Sequence, residues 1–204
     1  MDKDQFWAVI EDTRTDARQS GRPFDEILAD RLAAGSRQEV LAFDAVFAEV
    51  HGAVYRWDLW AAAYLIGGGC SDDGFMDFRA GLITLGRDWY ERADAAPDSL
   101  ADHPAVMAGA EEALFCEAVN YAASTAYERL AADGPGDEKS FYEAADRYRK
   151  SRAGTGGPGD GSDGNGADRE ASMGEEFDFD DDEEMYRRLP HLAALCLGEA
   201  APDA

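Results

Sequence analysis

Histidine, cysteine and lysine are scarce in this chain of 204 residues, with three of each. Cys70, Cys116 and Cys196 lie far apart and form no CxxC, and an odd count closes no disulfide framework. The expectation is reduced thiols in a cytoplasmic protein. His51, His103 and His191 enter no HxH or HExxH word, so a zinc site has no signature and no metal is expected. There is no Walker loop, GxGxxG fingerprint or GxSxG elbow to imply a nucleotide, a dinucleotide cofactor or an acyl-enzyme. No cofactor is implied. No apolar run approaches the roughly eighteen residues of a membrane helix. The first residues, Met1-Asp2-Lys3-Asp4-Gln5-Phe6-Trp7, carry acids and lack the apolar core of a signal peptide. No polar–apolar alternation exceeds four residues, and no internal repeat is visible.

Positive charge is the largest deficit. Forty-three acidic side chains face nineteen basic ones, for a formal net charge of −24. Such a field repels nucleic acid and anionic membranes, so neither is expected as a partner. Yet 45% of the residues are apolar and 11% aromatic, too many for a chain disordered throughout. The length suits one sizeable domain.

What is present reads as helices. Phe6, Trp7, Ile10 and Arg14 recur at helical spacing behind Asp4 as a cap. Pro23 opens a second helix that Gly35 stops. Ser36 and Glu39 make a capping box for a third, through Val40, Phe43, Phe47 and Val50. Trp57 to Ile66 is apolar nearly all round, which argues for burial, and three glycines end it. Ser71 to Leu85 and Arg87 to Ala95 follow, then a loop between Pro97 and Pro104. A long helix is expected over Glu111 to Ala132, with Cys116 as a small core residue, stopped by Asp133-Gly134-Pro135-Gly136. Glu138 to Lys150 carries a stripe of Phe141, Tyr142, Ala145 and Tyr148. The fold class expected is all-α: a single helical domain of about seven helices over residues 1–152. A flexible Gly/acid-rich linker over 153–179 and short C-terminal helices over 180–204 complete it. Residues 153–184 carry a net −11, which leaves −13 for the rest, so the folded part is acidic too.

The densest text runs from Arg56 to Arg87. Trp57 and Trp60 are three apart on one helix face. The three glycines permit a tight turn, and Ser71, Asp72 and Asp73 then stand at a helix start, where acids meet free N–H groups and the helix dipole. Asp72, Asp73, Asp77 and Arg79 are the candidates for catalysis, as acid/base groups and an anion grip. Their ordinary role is a cap with a salt bridge from Asp72 or Asp77 to Arg79. Trp57, Trp60, Tyr64 and Ser71 are the candidates for ligand contact, and the rings equally suit a core. Cys70 precedes a helix start, but Asp72 and Asp73 would oppose a thiolate there.

The same segment carries a resemblance. Trp57, Leu59-Trp60, Ala62-Ala63-Tyr64, Gly68, Cys70, Ser71-Asp72-Asp73, Phe75, Asp77-Phe78-Arg79, Leu82-Ile83, Gly86 and Pro97-Asp98-Ser99-Leu100, with Phe6-Trp7 upstream, are similar to the bacterial family of domain of unknown function 4240. It covers about residues 1–130, and it implies a soluble bacterial domain with no assigned activity. A related domain occurs in molybdate-metabolism-regulator-like proteins, a label that does not transfer to this chain.

Two functional classes stay open. One is an acidic binding or regulatory module with a basic protein partner. Phe177 and Phe179 would be its anchors inside the acidic run Glu175–Glu184, a run expected to add little to stability. The other is an enzyme using a carboxylate/Arg pocket around Asp72, Asp73, Asp77 and Arg79 on a small polar or anionic substrate.

Overall fold

The computed structural model describes residues 1–130, 138–153 and 173–198, and every regular element among them is helical. The α-helices are α1 (Lys3–Ser20), α2 (Phe24–Ala33), α3 (Arg37–Ala53), α4 (Trp57–Gly67), α5 (Asp72–Thr84), α6 (Arg87–Ala95), α7 (Pro104–Met107), α8 (Ala122–Arg129), α9 (Glu138–Ala153), α10 (Asp182–Arg188) and α11 (Pro190–Cys196). Short 3-10 helices span Pro97–Asp102, Glu111–Leu114 and Glu117–Tyr121. No helix among the described residues is long and apolar enough to cross a membrane.

Local signals place most helix ends. Asp2, two residues before the expected Asp4, caps α1. Its carboxylate accepts the Gln5 N–H at 2.8 Å, and the Gln5 side chain accepts the Asp2 N–H at 2.9 Å. Asp4 lies in the first turn, where its charge still faces the positive end of the helix. The Ser36–Glu39 box forms as expected: the Ser36 N–H reaches Glu39 at 2.7 Å and the Glu39 N–H reaches Ser36 Oγ at 3.3 Å.

The described residues divide into two compact units that alternate along the chain. The first takes its residues from 1–52 and 118–164. Phe6, Ile10, Leu28 and Phe43 are fully buried there, and Phe6 and Phe43 meet at 5.0 Å between ring centroids. Arg129 pairs with Asp30 at 2.6 Å, tying α8 to α2, and Arg149 pairs with Asp44 at 2.9 Å, tying α9 to α3. On α9 the buried residues are Phe141, Ala144 and Ala145, whereas Tyr142, expected on the apolar stripe, is 47% exposed. Its neighbour Phe141 takes the inward position and packs edge-on against Tyr127.

The second unit takes its residues from 53–117 and 165–204. Leu59, Phe75, Phe78, Leu82, Leu100, Leu114, Met185 and Leu192 form its core. Asp98 holds the C-terminal piece in place: its carboxylate accepts the N–H groups of His191 at 3.0 Å and Leu192 at 2.9 Å, the free donors that open α11. The expected linker 153–179 lies mostly outside the described residues, as does the stop at 133–136. Its last part is packed: Met173 is only 6% exposed and Phe179 joins a ring cluster.

The expected long helix over Glu111–Ala132 is the clearest difference. It is broken into two 3-10 turns and the short α8. The cause is tertiary. The Cys116 N–H leaves the helical pattern to donate to the Asp77 carbonyl of α5 at 3.0 Å. Leu114 is fully buried, and its carbonyl sits where a Cβ on Gly81 would be, 1.9 Å from that position. Cys116 is half-buried on this break rather than inside a helix, with Sγ 3.6 Å from the Ala113 carbonyl. Such approach of backbone to backbone needs glycine. Gly81→Ala should therefore destabilise the protein by about 3 kcal/mol, through overpacking against an atom that cannot move alone. Urea unfolding measures this, and a near-silent variant would show that the Leu114 crossing is not fixed.

Candidate functional site

The site is built on α4. Trp57 and Trp60 lie one turn apart, and their indoles stack with centroids 5.3 Å apart and planes 6° from parallel. On its other side Trp60 stacks against Phe75 of α5 at 5.0 Å and 10°. The three rings form a parallel ladder with Trp60 in the middle, in the offset arrangement that aromatic quadrupoles favour. The Trp60 indole N–H donates to the Cys70 carbonyl at 3.0 Å, which pins the loop between α4 and α5. Within that loop Gly68 and Gly69 have φ of 62° and 125°, values that glycine adopts without the penalty of a Cβ.

Ser71 follows, and its hydroxyl accepts the Gly74 N–H at 3.1 Å as the cap of α5. Asp72 and Asp73 sit in the first turn, exposed. The Arg79 guanidinium lies over the Tyr55 ring at 4.6 Å and the Phe75 ring at 5.1 Å. Burial pulls its pKa down to about 10, against the opposing pull of Tyr55 and Asp72, so it stays charged at neutral pH. Arg79 is thus a cation laid along the ladder, with Asp72 as an electrostatic neighbour. Cys70 is half-buried, and burial, with the charge of Asp77 adding to it, pushes its thiol up to about 11. A thiol held there is not a nucleophile at neutral pH. Among the described residues no group of three or more His, Cys, Asp or Glu side chains is placed to hold a metal ion.

The other half of the site comes from the acidic segment. Phe179 packs edge-on against Trp57 at 5.8 Å and Trp60 at 6.2 Å, and meets Tyr64 at 5.4 Å. The Tyr64 hydroxyl donates to an Asp180 carboxylate oxygen, a bond that raises the Tyr64 pKa. Phe177 touches Phe179 at 5.2 Å, and the Arg188 guanidinium covers the Phe177 ring at 4.2 Å. Arg188 also pairs with Glu175 at 3.0 Å and Glu184 at 2.8 Å. Arg187 and Arg188 together hold the Glu184 carboxyl down at about 2. Phe177 and Phe179, read from sequence as anchors for a partner, therefore pack on their own chain. The reason is that α4 offers Phe179 a ring surface that would otherwise meet water, and Phe177 is held between Phe179 and Arg188.

Between the two halves lies an open hollow of about 500 Å³. Trp57, Tyr64, Phe177 and Phe179 supply aromatic surface, and Glu176, Asp178 and Asp180 supply carboxylates. Of the candidates read from sequence, Trp57 and Tyr64 line it and Trp60 backs it through the stack. Ser71, Asp72, Asp73, Asp77 and Arg79 do not line it. Phe177 and Phe179 are anchors for a partner in the sequence reading, whereas Glu176, Asp178 and Asp180 are not singled out there as site residues. The alternation Phe177-Asp178-Phe179-Asp180 was the available signal, because in extended chain it puts the rings on one side and the acids on the other. Phe179→Ala should lower stability by about 1–2 kcal/mol, less than for a fully buried ring, and red-shift the tryptophan emission as the indoles gain water. Unchanged urea midpoint and emission would show that the segment does not pack there.

Residues 1–129 match the family described as Protein of unknown function (DUF4240), and the chain belongs to that family. The match supplies Trp57 and Tyr64 but ends before residues 176–180. No curated protein and no solved structure matches the chain.

Proposed function

We propose that this member of the DUF4240 family is an acidic binding module that engages a basic protein partner at the hollow between α4 and residues 176–180. The observation that carries this reading is the make-up of the hollow, with aromatic walls and carboxylates around them. Aromatic surface supplies contact area at little entropic cost, and the carboxylates select the sign of the partner. The net charge of −24 adds long-range steering toward a basic molecule. Exposed carboxylates alone contribute little per pair, so the rings are needed for affinity.

The alternative, an enzyme with a pocket around Asp72, Asp73, Asp77 and Arg79, has less support. Asp72 and Asp73 point into solvent from the start of α5, and Arg79 lies across Tyr55 and Phe75. A carboxylate/guanidinium site would need these groups around one cleft.

A basic twelve-residue peptide with equal lysine and arginine content tests the reading by calorimetry at low and moderate salt. Glu176→Gln with Asp178→Asn should weaken binding about tenfold at low salt, whereas Asp72→Asn with Asp73→Asn should change it less than about twofold. Asparagine at 178 retains an acceptor for the Asp180 N–H, which Asp178 now holds at 2.9 Å. Equal losses in both variants would mean that the overall field attracts the peptide and that no docking site exists.

A further inference from the structure

We infer that the hollow is an arginine receptor: the group it takes from its partner is a single guanidinium, seated against the rings of Trp57, Tyr64 and Phe179 and bonded by carboxylates among Glu176, Asp178 and Asp180. This rests on the reading of the hollow as the docking surface and names its ligand class.

Charge settles the first choice. An anion entering here meets three carboxylates and no cationic lining residue, and a neutral apolar group gains nothing from them. A cation with an apolar, polarisable face gains from both features. Rings attract cations through their quadrupoles, and carboxylates satisfy the N–H groups that leave water.

The choice between guanidinium and ammonium follows from hydration and shape. An ammonium is compact and holds its water tightly. A guanidinium is planar, weakly hydrated and able to lie flat on a ring while its edge donates in the ring plane. The protein itself uses this pairing next to the hollow. Arg188 lies 4.2 Å over Phe177, one of the lining rings, while its edge bonds Glu175 at 3.0 Å and Glu184 at 2.8 Å. A ring and flanking carboxylates around one guanidinium is the arrangement that the hollow offers again with Trp57, Phe179 and the acids at 176, 178 and 180. The same stacking recurs where Arg92 covers Trp89 at 4.2 Å and Arg79 covers Tyr55 at 4.6 Å. A volume of about 500 Å³ accepts one long side chain and the backbone beside it, rather than a folded domain.

The partner's arginine is supplied by three end-blocked tripeptides, Gly-Arg-Gly, Gly-Lys-Gly and Gly-citrulline-Gly, titrated into the full chain at low salt. The Trp57 indole N–H resonance is followed by NMR. Citrulline keeps the shape of arginine and removes its charge. The arginine peptide should shift that resonance and bind about tenfold more tightly than the citrulline peptide and about threefold more tightly than the lysine peptide. Glu176→Gln with Asp178→Asn, both exposed positions, should erase most of the preference for arginine over citrulline, and Trp57→Ala should abolish saturable binding. Equal binding of arginine and citrulline, lysine binding as tightly as arginine, or no shift at Trp57 would overturn the inference. The two readings also fail separately. Binding of the basic twelve-residue peptide that needs Glu176 and Asp178, with the lysine tripeptide bound as tightly as the arginine tripeptide, keeps the basic partner and removes the arginine receptor. Saturable arginine binding with no binding of the longer peptide does the reverse.

Discussion

Trp60 is the part on which the site's geometry depends. Its indole is held on one face by Trp57 and on the other by Phe75, while its N–H reaches the Cys70 carbonyl. One side chain thereby links the start of α4, the glycine loop and the face of α5. The stack has direction as well as strength: parallel rings tolerate sliding but resist tilting, so the orientation of Trp57 at one end follows from Phe75 at the other. Phe75 also meets Tyr55, and Arg79 lies over both, so the inner end of the ladder finishes in a cation and the outer end in the hollow.

Excess negative charge has two different fates in this unit. Where an acid has a basic neighbour it organises the chain: Glu175 and Glu184 meet Arg188, and Asp98 meets the opening N–H groups of α11 and the ring of His191. Where the acids alternate with phenylalanine, Phe179 packs on α4 with Phe177 against it, and the carboxylates stay exposed beside them. Apolar area drives this segment onto its own chain. The cost of gathering like charges stays small because those charges remain exposed and screened. Stability and binding are therefore coupled: the rings that seat the segment also form the walls that a cation would meet.

The helical reading of the sequence was sound for most signals whose cause was local, although the cap of α1 fell on Asp2 and not on Asp4. Ser36 with Glu39, Ser71 before α5 and the glycines after α4 all act within a few residues of themselves, and each ends or starts a helix as its chemistry requires. The spacing of Trp57 and Trp60 already put their rings together. The sequence failed at Glu111–Ala132 because nothing within that stretch shows that the Asp77 carbonyl takes the Cys116 N–H, or that Gly81 admits the Leu114 backbone. The sequence offered Asp72, Asp73, Asp77 and Arg79 as catalytic candidates and Trp57, Trp60, Tyr64 and Ser71 as ligand contacts; of these Trp57 and Tyr64 line the hollow, which depends on side-chain orientation that the text does not carry.

Composition, charge sign, helical class, most helix boundaries and the paired indoles were determined by the sequence alone, because each follows from one residue or from neighbours within a turn or two. Only tertiary structure decided that Phe179 lies on Tyr64 and Trp57, more than a hundred residues away in the chain, and that the carboxylates beside it face a hollow. The physical reason is that the hydrophobic effect has no direction. An exposed phenylalanine in an acidic run carries no mark of which ring surface will cover it, and that surface exists only after α4 and α5 have folded together.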